Sequence, residues 1–88
     1  MKTIPVKVPL TNVEVGRRIG VNHSTASYYR SGKRLPAMPV LMKIFNEFDI
    51  TPEEQEKLTN AINKKKTTVE RRTVFGKWMR LNVFNESK

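Results

Sequence analysis

An all-α domain, a compact bundle of about five helices, is what this sequence predicts, and three observations predict it. Apolar residues recur at three- and four-residue spacing, the period of one helical face. Helix-start residues precede several of those runs, at Thr11, Asn22 and Thr51. Glycine and proline at Gly20, Gly32, Pro36, Pro39 and Pro52 cut the pattern into short segments joined by tight turns.

Residues 1–10 alternate apolar and polar side chains at Ile4, Val6 and Val8, while Pro5 and Pro9 remove two backbone donors. That stretch reads as an extended arm or a short edge strand. Thr11, with Glu14 three residues on, forms a capping box that opens the first helix. Its apolar residues are Val13, Val15 and Ile19, with the small Gly16 among them, and Gly20 supplies the left-handed stop. Asn22 caps the second helix, His23 to about Ser31, which closes at Ser31-Gly32. In the third helix, Val40, Leu41, Ile44, Phe45 and Phe48 share one stripe of core material. Thr51, Pro52 and Glu54 make a second capping box, and the helix they open runs through Leu58 and Ile62 and frays near Lys64-Lys65-Lys66.

The last segment, TTVERRTVFGKWMRLNVF, is rich in β-branched and aromatic residues and allows a hairpin at Gly76 as the alternative. Projection at 100° per residue gathers Leu81, Val74, Trp78, Phe75 and Met79 into an arc of roughly 160°, with Arg80, Thr73, Lys77 and Gly76 opposite. That favours an amphipathic helix from about Glu70 to Asn82. Its apolar face has two uses: Val74, Phe75, Trp78, Met79 and Leu81 complete the core of one chain, or they form a self-complementary patch for a homodimer. The organisation expected is an arm at 1–10, a binding domain at 11–66 and a core-completing or dimerising segment at 67–88.

With 88 residues the chain makes one domain, covering roughly 60 to 65% of the surface its unfolded form exposes. The formal charge is +9, and both halves are basic: eight Lys or Arg against three acids in residues 1–50, nine against five in 51–88. An anionic partner is expected, nucleic acid before an anionic membrane surface. No run of about eighteen apolar residues is present to span a bilayer, and the prolines of MKTIPVKVPL spoil a signal-peptide reading, so the expectation is a soluble cytoplasmic protein. Without cysteine there is no disulfide or thiolate metal site, and the single His23 makes no cluster, so no metal, cofactor or small-molecule ligand is expected. Glu53 and Glu54 are helix neighbours and point apart, which leaves no catalytic constellation.

The one stretch with a specific chemistry is Asn12 to Pro36, NVEVGRRIGVNHSTASYYRSGKRLP. It reads as a helix, a glycine turn, a second helix tipped with small polar residues, and a basic exit, the layout of a helix-turn-helix for duplex DNA. Ala26 and Ile19 are placed to form the inner contact, and of Tyr28 and Tyr29 the latter packs inward. His23, Ser24, Ser27 and Tyr28 then face outward, as candidates for reading base edges. Arg17, Arg18, Arg30, Lys33 and Arg34 put five positive charges between Val15 and Arg34 with no acid among them, and these are the candidate phosphate contacts.

Residues 11 to 50 resemble the Cro and phage-repressor type of helix-turn-helix proteins. In that group a Gln, a small residue four later and a glycine four after that are landmarks; here they are Asn12, Gly16 and Gly20. The resemblance implies that Asn12 touches a phosphate, that His23, Ser24 and Tyr28 occupy the principal base-reading positions, and that Thr25 and Ser27 assist, Thr25 at the backbone. Four departures stand out. Asn12 replaces Gln, Gly16 replaces Ala, Arg30 stands where an acid is frequent, and the proline-bearing arm cannot supply the helix that ordinarily precedes the motif. The function implied is a transcriptional regulator that binds double-stranded DNA at an operator, one built as a palindrome if the protein is a homodimer, in a phage or other mobile element. A recombination accessory (excision) factor and an antitoxin that autoregulates its operon are the alternatives.

Overall fold

Side-chain oxygens start four of the five helices. The first backbone amides of a helix have no carbonyl to bond, and a Thr or Asn just before them can accept in its place. Thr11 does so for α1 (Asn12–Ile19), Asn22 for α2 (His23–Ser31), Thr51 for α4 (Pro52–Asn63) and Thr67 for α5 (Thr68–Asn82). In α3 (Met38–Glu47) proline stands in the first turn instead, where its missing N–H costs nothing. These helices come from a computed structural model that describes residues 10–86. No strand occurs among the described residues, so the C-terminal segment is a helix and not a hairpin. The expected arm, except for Leu10, lies outside the described residues.

The caps differ in detail from the expected boxes. Thr11 Oγ1 accepts from the Glu14 N–H at 3.1 Å, and Thr51 Oγ1 from the Glu54 N–H at 3.2 Å, but among the described residues neither glutamate returns a bond to its cap. Glu14 turns instead to the arginines three and four residues on, 3.6 Å from each of Arg17 and Arg18. The complete box is at α5: Thr67 Oγ1 accepts from the Glu70 N–H, while the Glu70 carboxylate accepts from the Thr67 and Lys66 N–H groups at 3.3 and 3.2 Å. Those amide donors, Thr67's first, hold the Glu70 carboxyl below the usual glutamate range.

Gly16 is the residue that lets α1 and α2 sit as close as they do. A Cβ there would stand 2.6 Å from the Val21 carbonyl oxygen, because the turn backbone folds directly over it. Gly20 and Gly32 end α1 and α2 with φ of 79° and 80°.

The core draws on every helix: Val15 and Ile19, Ala26 and Tyr29, Ile44 and Phe45, Leu58, then Phe75, Trp78 and Met79, followed by Val83 and Phe84. Val13, read as an apolar residue of α1, is 52% exposed and faces outward. Aromatic rings tie the layers together. Phe75 meets Tyr29 edge-on at 6.1 Å and stacks on Trp78 at 6.0 Å, and Trp78 meets Phe45 edge-on at 6.1 Å. Thus α5 packs on α2 and α4, and the turn that follows it reaches the residues before α1, where the Leu10 N–H donates to the Phe84 carbonyl at 3.1 Å.

The buried face of α5 is Phe75, Gly76, Trp78 and Met79, turned by roughly 60° from the arc that hydrophobicity picks out. Gly76 and Arg80, expected on the polar side, are respectively buried and half-buried, whereas Leu81 is exposed and Val74 only half-buried. The cause is a backbone contact. Gly76 lies against Gly32, and a residue without a side chain adds nothing to a hydrophobic projection.

Candidate nucleic-acid interface

Because Ala26 and Tyr29 are fixed inward by α1 and α5, the opposite side of α2 is committed to solvent. His23, Ser24 and Tyr28 are exposed and Ser27 is half-buried beside them, together covering an arc of roughly 140° along two turns. Thr25 is half-buried at the edge, with its N–H donating to Asn22 Oδ1 at 2.8 Å. Burial pushes the Tyr29 phenol up in pKa, against the opposing charge of Arg34. The exposed face offers short hydroxyls, an imidazole and a phenol, groups that donate and accept and are compact enough to enter a major groove.

The basic residues around that face differ in how they are held. Lys33 is exposed just beyond the end of α2, its N–H donating to the Tyr28 carbonyl at 2.9 Å. Arg34 is exposed, and its guanidinium lies over the Tyr28 ring, 5.3 Å from the centroid. Arg17 is open, with 71% of its side chain accessible. Arg18 shares Glu14 with it and lies over the Phe48 ring at 5.7 Å. Arg30 is placed differently from a free clamp: its guanidinium pairs with Glu86 and lies over the Phe84 ring at 5.3 Å. Asn12 opens α1, with its side-chain oxygen enclosed and without a hydrogen-bond partner among the described residues.

Residues 74–81 divide. Phe75, Trp78 and Met79 are used inside the core of the single chain, which leaves them no surface to offer a second copy. Of the five residues read as a candidate interface, Leu81, 51% exposed, keeps the largest free apolar surface.

Three residues near the motif were not singled out from the sequence. Lys43 of α3 reaches back over the turn, its ammonium 3.1 Å from where a Cβ on Gly20 would stand. Arg80 donates to the Arg30 carbonyl at 2.7 Å, and Glu86 takes the Arg30 guanidinium. No local pattern marks them, since their partners are distant in sequence. The Thr67–Glu70 box, by contrast, has a plain T-x-x-E signature.

Two helices with this turn between them, one buried on its inner side and polar on its outer side, match a known arrangement. The profile of the Helix-turn-helix family matches residues 10–55, just over half of the chain. The chain belongs to the Cro and phage-repressor type of helix-turn-helix proteins. The helix-turn-helix match ends within α4, so α5 lies beyond the part shared with the family. Neither a curated protein nor a solved structure matches the chain. No helix among the described residues is long and apolar enough to cross a membrane.

Proposed function

We propose that this DNA-binding helix-turn-helix protein is a sequence-specific transcriptional regulator that occupies an operator in the manner of a Cro or immunity repressor, in the cytoplasm of a cell hosting a phage or other mobile element. The observation that carries the reading is the outward face of α2, where His23, Ser24 and Tyr28 are exposed on a helix pinned from behind by Tyr29 and Phe75. A rigid helix with donor and acceptor side chains facing out suits direct readout of base edges. Lys33, Arg34 and Arg17 flank that face and supply phosphate contacts without sequence preference, with Arg18, Thr25 and Asn12 at its margin. Repression follows from excluding polymerase. A palindromic operator calls for two copies with reading helices about 34 Å apart.

Competition binding tests this. A labelled duplex carrying promoter-proximal DNA from the neighbourhood of the gene is titrated at physiological salt against unlabelled specific and scrambled duplexes. The reading expects the specific competitor to be more effective by at least about a thousandfold. Equal competition by scrambled DNA would count against sequence-specific regulation and leave an architectural or recombination accessory role.

A further inference from the structure

Arg30 differs from the other basic side chains of the motif: where Arg17 and Arg18 share Glu14 of their own helix at 3.6 Å, Arg30 is hydrogen-bonded to a carboxylate from the far end of the described chain. It lies three residues beyond Ser27 and seven beyond His23, on the same stripe of α2, at the edge of the face assigned above to base reading. Its Nε and Nη2 both point at Oε2 of Glu86, and its plane rests on Phe84. The turn after α5 is shaped to bring that carboxylate there. Asn85 adopts a left-handed φ of 57°, and the Glu86 N–H folds back to the Arg80 carbonyl at 2.8 Å. Arg80 in turn donates to the Arg30 carbonyl, joining the same turn to the last part of α2. A carboxylate that accepts from a guanidinium in this way occupies the place that a phosphodiester oxygen would take. The pair is open to water, with 41% of the Arg30 and 28% of the Glu86 side chain accessible, so an external anion can reach it.

We infer that Glu86 is a built-in competitor for the DNA backbone: it holds Arg30 in the free protein, and a phosphate must displace it before Arg30 can join the interface. The inference rests on the DNA-binding reading of the outer face of α2. Its consequence is a lower hold on every duplex alike, since the contact it blocks is with phosphate and carries no sequence information. Glu86 thus limits nonspecific binding by a protein of net charge +9 and leaves base discrimination untouched.

The test measures affinity of the full chain for a short mixed-sequence duplex between about 50 and 200 mM salt. The variants are Glu86→Gln, Arg30→Gln, both together, and Glu56→Gln, which makes the same change of charge on α4. Glu86→Gln is expected to tighten binding several-fold more than Glu56→Gln does, and to steepen the log–log salt dependence by about 0.9. Arg30→Gln is expected to change the wild type little and to abolish the gain in the Glu86→Gln background. Fraying of the C-terminal turn in Glu86→Gln would itself free Arg30, so the coupling between the two positions decides the matter. Glu86→Gln equal to Glu56→Gln, or Arg30→Gln weakening both backgrounds alike, would overturn the inference while the DNA-binding reading stands. Failure of the wild type to hold the duplex at the lowest salt would overturn that reading as well.

Discussion

Gly76 of α5 rests against the backbone of Gly32, the residue that ends α2, so closely that a Cβ on Gly76 would stand 2.7 Å from both the Gly32 Cα and N. It would also stand 3.2 Å from the Arg30 carbonyl oxygen. Backbone, unlike a long side chain, cannot give way. Gly76→Ala is therefore expected to destabilise the fold by about 1–3 kcal/mol, as overpacking does, despite the better helix propensity of alanine. A thermal melt followed by circular dichroism should show the midpoint falling by roughly 4–8 °C for each kcal/mol lost.

The two sides of α5 should respond unequally. Phe75 is fully buried between Tyr29 and Trp78, and Phe75→Ala is expected to cost about 3–5 kcal/mol. Leu81 is 51% exposed on the same helix, and Leu81→Lys is expected to stay within about 0.5 kcal/mol. Urea titrations of both variants check the difference. A large loss for Leu81→Lys that depends on protein concentration would reveal a dimer contact there.

Thr67 and Glu70 tie the start of α5 and give stability a dependence on pH. A carboxyl held below its ordinary pKa in the folded state favours folding while ionised. Its contribution is full above the ordinary glutamate range and fades as pH falls through the depressed value. Wild type is thus expected to exceed Glu70→Gln in stability at neutral pH, with the gap closing in acid. Thr67→Ala should cost about 1 kcal/mol. Denaturant titrations across that pH range read both.

Lys33 is exposed at the end of the motif, and its contact with DNA is assigned to phosphate. Lys33→Ala is expected to weaken specific and random duplexes by the same factor and to reduce the salt slope by about 0.9. A changed preference between the two duplexes would show that Lys33 reads a base.

Local signals made much of this molecule legible before its structure. Thr11, Gly20, Asn22 and Gly32 each act within a few residues, and each marks a boundary that the helices respect. The inward Tyr29 and outward Tyr28 follow from helical period alone. What escaped was decided across elements. The face of α5 turned because two glycines meet, and Arg30 found a carboxylate 56 residues away. Hydrophobic period registers neither of these, since it weighs each residue's polarity and not the backbone or charge it will face.

Selection of bound sites from a pool of random duplexes at physiological salt, run in parallel for wild type and Ser24→Ala, tests the central claim most directly. Wild type is expected to enrich one defined sequence, and Ser24→Ala to relax a single position of it by about 1–3 kcal/mol of discrimination while the others persist. A wild-type pool that remains random, or a site unchanged by Ser24→Ala and by Tyr28→Ala alike, would contradict the assignment of the outer face of α2 to reading DNA.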